Sequence, residues 1–177
     1  MTALSSSVAV LFARSDSVYK RIPGCDVFDL ARDARSYAGG LPVVAHPPCR
    51  AWGRLRHFAK PRFDERDLGV FAVDVVRRCG GVLEHPAHST LFPVCNLPAP
   101  GVRDAFGGLT FALDQQWFGH RAPKRTWLYI VRARSIPEMP FHLGDVPGRV
   151  ELMGRAERER TPPEFARWLV ELASRSQ

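Results

Sequence analysis

Residues 41–53 read LPVVAHPPCRAWG. The apolar run contains the β-branched pair Val43 and Val44 and lies between a glycine pair and a proline pair, which predicts a short buried strand. The prolines end that strand because they have no backbone N–H to donate. Cys49 therefore follows the C-terminal end of a strand. In open α/β sheets, ligands bind at that edge.

The next segment, residues 64–78, has the pattern of an amphipathic helix. Apolar residues recur at helical spacing, acidic residues occupy the first turn, and two arginines occupy the last turn. We expect Asp64 to cap the helix at its N-terminus. The pair Gly80 and Gly81 should end it.

A second strand is predicted at residues 82–85, and Pro86 stops it. A strand, a helix and a second strand with tight connections form a βαβ unit of a parallel sheet. Parallel strands present their C-terminal ends at the same edge. We therefore expect Cys49 and Glu84 to lie near each other at that edge.

The rest of the chain completes an α/β prediction with a mainly parallel sheet and a C-terminal antiparallel hairpin. Residues 118–125 form a basic connection within that hairpin, and Thr161 and Glu164 have the spacing of a capping box for the last helix. Residues 137–147 are a proline-punctuated loop. The further predicted elements are strands at 7–12, 25–30, 109–117 and 126–131, a helical turn at 18–21 and a helix at 161–174.

Composition limits the class of protein. A length of 177 residues fits a single domain over residues 1–177. No run of about 18 apolar residues could span a membrane, and the start has no charged signal-peptide region. Four cysteines without CxxC spacing indicate reduced thiols and a cytoplasmic protein. The net charge is +7 and 22 of the 25 basic residues are arginine, which suits a DNA partner; a solvated surface with arginine-rich codon usage is the alternative.

In their order, these motifs resemble those of the DNA cytosine-C5 methyltransferases. That family has a Pro-Pro-Cys loop after a strand, a later strand ending in Glu-Asn-Val, a hairpin of the form Tyr-Gly-Val-Pro-Gln-Arg-Arg-x-Arg, and a Leu-Thr-Pro-x-Glu helix near its end. Similar sequences occur here at residues 45–50, 82–86, 118–130 and 160–165. The resemblance implies a trimmed Rossmann-like methyltransferase fold with no separate target-recognition domain. Such a small chain would suit a phage or a mobile element.

The resemblance also implies roles for particular residues. Cys49 would add to C6 of a cytosine and thereby activate C5, Glu84 would hydrogen-bond N3 and the exocyclic amine, and Arg125 would hold O2. The substrate-binding candidates around them are Pro48, Arg50, Trp52, His85 and Arg121. Of these, Arg50 would help to lower the pKa of the thiol, Trp52 could stack on a base, and His85 stands where the family has Asn.

The methyl donor implied by the resemblance is S-adenosylmethionine. The family binds it at a Phe-x-Gly-x-Gly loop after the first strand, but residues 11–15 have the strand and neither glycine. Three outcomes therefore stay open: the donor binds in a changed pocket, another electrophile serves, or the chain binds nucleic acid without catalysis. Residues 8–13 also align with the family's second strand.

Structural alternatives exist for the main candidates. Cys49 could be an inert packed thiol, Glu84 could form a structural salt bridge, and Trp52 could cover the core. His46 and His85 could bind zinc together with Cys49 or Cys95. Because the spacing of a zinc deaminase is absent, no metal site is expected.

Overall fold

The structure is a computed structural model that describes residues 7–141, 148 and 152–176. Its sheet has six strands in the order β2-β1-β3-β4-β6-β5. The strands are β1 Val8–Ala13, β2 Cys25–Asp29, β3 Val43–Ala45, β4 Gly81–Pro86, β5 Leu109–Asp114 and β6 Arg125–Val131. The helices are α1 Glu65–Cys79, α2 Leu91–Val94, α3 Arg155–Glu159 and α4 Pro163–Ser174. Short 3-10 turns occupy Val18–Arg21, Ala34–Ser36 and Gln115–Phe118.

The sheet is mixed. Strands β2, β1, β3 and β4 are parallel, whereas β6 runs antiparallel to both β4 and β5. The predicted α/β class and the antiparallel pairing of β5 with β6 are confirmed. The strand order reverses between β1 and β3, which is the position of a topological switch point.

Side chains alternate between the two faces of the sheet and pack against different helices. On one face, residues such as Val43 and Leu83 pack with the apolar side of α1. On the other face, Val44 and Val82 pack with α4. The result is three layers with the sheet in the middle, so the polar residues near the ends of β3 and β4 lie between two covered faces.

Helix α1 confirms the clearest sequence prediction, except for its cap. Asp64 makes no side-chain capping bond; its carboxylate lies 3.5 Å from Arg35 and 3.4 Å from Arg62. At the other end Gly80 adopts φ +79° and its N–H donates to the carbonyl of Val76. Gly81 has φ +112°, and a Cβ there would lie 2.1 Å from the Val43 carbonyl, so only glycine fits between α1 and β4.

Two element boundaries differ from the prediction. Strand β5 ends at Asp114, whose carboxylate accepts the N–H of Gln116 (3.0 Å) and of Lys124 (2.7 Å) and so turns the chain. The predicted strand end at 117 was therefore wrong. Helix α4 begins at Pro163, with Pro162 at the capping position and no side-chain cap. The capping box predicted at 161–164 was wrong.

The other predicted elements appear at or close to their expected positions. The helical turn Val18–Arg21 is capped by Ser17, and β1, β2 and β6 lie where they were expected. Helix α2 was not predicted. The loop expected at 137–147 lies within the described residues only as far as 141. In the described ranges, no helix has the length and apolarity needed to cross a membrane. All four cysteines are free thiols.

Candidate active site

The thiol of Cys49 lies at the C-terminal edge of the sheet. Pairing of β3 with β1 continues one residue past the strand, where the N–H of His46 donates to the carbonyl of Leu11 at 3.1 Å. Two prolines follow, and the exposed Cys49 comes next. Its carbonyl accepts the N–H of Trp52 (3.0 Å) and of Gly53 (2.8 Å), which closes a tight turn. The sequence pattern thus places the thiol beside the switch point.

Trp52 anchors this turn in the core. Its side chain is fully buried, and a Cβ at Gly69 of α1 would lie only 2.6 Å from the indole nitrogen. The guanidinium of Arg66 lies 4.3 Å from the centre of the ring system, and the Trp52 carbonyl accepts the N–H of Thr90 at 3.0 Å. Trp52 therefore covers the core, which was the structural alternative, and its ring is not available for stacking on a base.

Glu84 lies near the end of β4 with both carboxylate oxygens hydrogen-bonded. Oε2 is 2.9 Å from Nδ1 of His46, and Oε1 accepts a hydrogen bond from Nε2 of Gln115 at 3.1 Å. Burial raises the pKa of Glu84, but the hydrogen bond and charge of His46, with the charges of Lys124 and His85, outweigh burial and lower this pKa to about 2. Glu84 is therefore a carboxylate at neutral pH.

A chain of hydrogen-bonded side chains passes through Glu84, and we call it the Glu84 network. The hydroxyl of Tyr19 lies 2.8 Å from Nε2 of His46 at one end. At the other end, Nε2 of Gln115 also donates to the Thr126 hydroxyl at 2.9 Å. Burial first, and then the charge of Glu84, raise the pKa of Tyr19 well above its ordinary value, so the phenol is neutral. The five residues come from five different segments of the chain.

The electrostatic surroundings of Cys49 favour the neutral thiol. Although the residue as a whole is exposed, protein atoms around the sulfur exclude part of its water; this desolvation, followed by the charge of Glu84, raises the pKa of Cys49, and the charge of Glu159 acts in the same direction. Lys124 opposes this by lowering the pKa. Cys49, Glu84 and Lys124 thus lie within electrostatic range of one another, as we expected for the first two. The expected lowering of the thiol pKa was wrong, because desolvation and the charge of Glu84 outweigh the charge of Lys124.

Arg50 has a different partner from the one predicted. Its Nε donates to Glu65 at 3.0 Å, and its Nη2 makes a second, shorter bond to the same carboxylate. Glu65 is 1% exposed, so the pair fixes the Cys49 turn to the first turn of α1. Arg50 contributes to the position of the loop, and Lys124 is the cation that acts on the thiol.

The remaining predicted site residues lie apart from the Glu84 network. His85 alternates with Glu84 along β4, so it is fully buried on the α1 face and neither ring nitrogen has a hydrogen-bond partner. Burial above all lowers the pKa of His85 to about 4. Arg121 is exposed and pairs with Glu157 at 3.1 Å. Arg125 is exposed at the start of β6, one residue from Thr126, and its strand position directs it to the opposite face.

Sequence reasoning did not identify Tyr19, Gln115, Thr126 or Lys124 as members of the site and considered His46 only as a possible zinc ligand. His46 has the same strand phase as Val44, so its place beside Glu84 could have been derived from the period of two. Lys124 is within the basic connection that the sequence singled out, one residue before the arginine that was chosen. Nothing in the sequence marked Tyr19 or Gln115, because their positions depend on short turns that follow β1 and β5.

The site is an open edge of the sheet. Two shallow cavities in the described ranges lie elsewhere, one between α4 and residues 138–140 and the other beside residues 38–42. No group of three or more His, Cys, Asp or Glu side chains in those ranges is arranged to hold a metal ion. No family model, curated protein or solved structure matches this chain.

Proposed function

We propose that this protein is a DNA cytosine-C5 methyltransferase-like protein in which Cys49 adds to C6 of a cytosine. One observation carries the proposal: an exposed thiol after β3 lies within electrostatic range of an ionised carboxylate near the end of β4. The two strands are adjacent and parallel, so both groups are at the edge where α/β sheets bind ligands.

The proposed addition needs no reactant other than the thiol and the base. The sulfur of Cys49 loses its proton and bonds to C6, the C5–C6 double bond shifts to C4–C5, and the electron pair of the C4–N3 double bond moves to N3, which takes up a proton, so the adduct is neutral. C5 is then an enamine-like carbon that can attack an electrophile. The Glu84 carboxylate accepts a hydrogen bond from the exocyclic amine and holds the base, while Lys124 stabilises the thiolate as it forms.

The surface next to Cys49 supports a nucleic-acid substrate. The loop at residues 54–63 has no acidic residue and exposes several basic side chains. Phe58 (87% exposed) and Phe63 (fully exposed) project from the same loop. Together with the net charge of +7, basic and aromatic groups suit contacts with phosphates and with bases. A cytosine in a duplex would have to leave the stack to reach the thiol.

The turn after β1 does not fit S-adenosylmethionine in the way that a glycine loop would. Phe12 has φ +62°, and its ring packs edge-on against Phe71 with the centroids 6.4 Å apart. Arg14 binds Asp16 at 2.9 Å and Glu159 at 3.1 Å across the same turn. The strand order favours the alignment of β1 with the family's first strand, because β1 lies next to β3. We therefore derive no methyl-transfer step.

Two observations favour the alternatives. The raised pKa of Cys49 and the occupied oxygens of Glu84 favour a module that binds nucleic acid without catalysis. The poor fit for the donor favours a pyrimidine modification that uses another electrophile.

Exchange of the C5 hydrogen separates these possibilities. Reversible addition of Cys49 to C6 lets C5 exchange its hydrogen with water, so DNA labelled with tritium at cytosine C5 should release tritium without any donor. We expect release by the wild type and by a Cys95→Ala control, and loss of release in Cys49→Ala. If the wild type releases no tritium but binds DNA in a salt-sensitive manner that survives Cys49→Ala and Glu84→Gln, the non-catalytic alternative is correct.

The electrophile requires a separate measurement. Calorimetry with S-adenosylmethionine, followed by trapping on DNA that contains 5-fluorocytosine, tests the methyl donor. Binding and a donor-dependent covalent adduct would support methyl transfer. Tritium release without donor binding, together with a new base found by mass spectrometry after incubation in cell extract, would support another modification.

A further inference from the structure

His46 is held at both nitrogens of its ring. Nδ1 lies 2.9 Å from Oε2 of Glu84, and Nε2 lies 2.8 Å from the Tyr19 hydroxyl. Tyr19 is almost fully buried and its ring packs against the imidazole with the centroids 5.4 Å apart. The imidazole is therefore fixed in position and in orientation by two partners, one on the helical turn that follows β1 and the other on β4.

Proton placement in this arrangement is restricted. An ionised carboxylate only accepts hydrogen bonds, so Nδ1 of His46 must carry a hydrogen. Nε2 then either accepts the hydrogen of the Tyr19 phenol or donates its own to the phenol oxygen. A neutral phenol can do both, so Tyr19 is compatible with the neutral and with the doubly protonated ring, while the Glu84 carboxylate selects against the tautomer that would direct a lone pair at it.

We propose that His46 is a positioning residue of the candidate site, which, fixed by Tyr19, keeps the Glu84 carboxylate anionic and immobile so that it can accept the amine hydrogen of a bound base. This inference rests on the proposed function, because the base is the ligand that the carboxylate would bind. Gln115 donates to the other oxygen, so the two residues together determine the plane of the carboxylate.

A purely structural role does not account for this arrangement. Removing a carboxylate from water is costly, and an apolar pair of similar volume often stabilises a fold as well or better. The network lies at the open edge beside Cys49, and the side chains of His46 and Glu84 retain 13% and 14% exposure. The buried carboxylate, with its unfavourable desolvation free energy, therefore lies where a ligand could reach it.

The charge state of Glu84 depends on every titratable group that faces it. His46 donates the hydrogen bond, Lys124 adds positive charge, and His85 adds charge only below about pH 4. The charge of Glu84 in turn raises the pKa values of Tyr19 and Cys49. Without His46, the largest interaction that opposes the effect of burial on this carboxylate is lost, so the pKa of Glu84 should rise. The protonated carboxyl would then be populated in the acidic part of the assay range.

Three variants test the inference through tritium release from C5 between pH 6 and pH 9. His46→Leu removes the donor and should slow release by about tenfold to a hundredfold, with a larger deficit at pH 6 than at pH 8.5. His46→Asn retains an N–H donor near the position of Nδ1 and should recover most of the rate. Tyr19→Phe should have an intermediate effect. Urea unfolding of each variant at the same pH values separates loss of stability from loss of rate.

Two results would overturn the inference. One is a wild-type rate and pH profile in His46→Leu, and the other is equal defects in His46→Leu and His46→Asn that follow their stabilities. If the wild type releases no tritium at any pH, the proposed function fails and nitrogen-15 NMR of the imidazole still decides the role of His46. Protonated Nδ1 from pH 6 to pH 8 supports it, and a neutral ring protonated only at Nε2 contradicts it.

Discussion

Acid sensitivity should originate largely at His85, which lies one residue beyond Glu84 on the opposite face of β4. The imidazole is fully buried and neither nitrogen makes a hydrogen bond of good geometry, so the backbone of Pro48 and the charge of Glu84 offset only part of the effect of burial. Burial lowers the pKa of His85 to about 4 from an ordinary value of 6.5. The unfolded chain therefore binds a proton below pH 6.5 that the folded protein does not bind until about pH 4. Stability from this group is present above pH 6.5 and is lost as the pH falls toward 4.

The size of the effect follows from the two pKa values. Between pH 7 and pH 5, the difference in proton binding amounts to about 2 kcal/mol of free energy of unfolding. With a urea dependence of about 2 kcal/mol per molar, the unfolding midpoint should fall by about 1 M over that range. A loss of this size is a substantial part of the stability of an ordinary domain.

Urea titrations followed by tryptophan fluorescence at pH 7, 6 and 5 would measure this slope. His85→Leu removes the titrating group. The loss of unfolding free energy between pH 7 and pH 5 should therefore be smaller by about 2 kcal/mol in this variant than in the wild type. His85→Gln serves the same purpose if the leucine variant does not fold. His57→Leu, which removes an exposed imidazole, should leave the slope as it is in the wild type. The reasoning would be refuted by an equal slope in the wild type and in the His85 variants.

Three further results are expected. Arg50→Ala removes the main ion-pair partner of the buried Glu65 carboxylate and should lower the free energy of unfolding by about 3 kcal/mol in urea titrations. Replacing both Arg50 and Glu65 by leucine should restore the lost stability. Gly81→Ala should cost at least about 4 kcal/mol or prevent folding, because its Cβ would overlap the β3 backbone. Gly101→Ala, with φ +82° and open space, should cost about 1 kcal/mol in the same assay. Iodoacetamide should label Cys49 first by peptide mapping, yet more slowly than it labels free cysteine at pH 7.5, because the pKa of this thiol is raised; faster labelling would contradict the electrostatics.

The part of the fold that the sequence predicted best is the βαβ unit around Cys49. Helix α1 has strong apolar periodicity and ends at a glycine pair with positive φ angles. Local interactions therefore determine where this helix forms and where it ends. The end of β5 and the start of α4 were misplaced because they depend on side-chain contacts of Asp114 and on a second proline. Such contacts are not visible in hydrophobic periodicity.

At the candidate site, errors of one residue had large effects. Lys124, and not the predicted Arg50, is the cation that acts on Cys49, and the predicted His85 and Arg125 face away from the Glu84 network. Adjacent residues in a strand face opposite sides, so a motif can give the correct segment and the wrong side chain. Trp52 was ambiguous because only the packing of α1 shows whether a loop tryptophan lies in the core.

The connection between β5 and β6 has a further consequence for how such a chain could change. Its two ends are clamped together, because the N–H of Gln115 donates to the Lys124 carbonyl at 3.1 Å and Asp114 binds the Lys124 N–H. At Gly119 the Cα faces open space. Extra residues inserted at Gly119 would project into open space without altering either strand. Evolution or engineering could therefore graft a sequence-reading element onto this connection and leave the sheet that carries Cys49 and Glu84 unchanged.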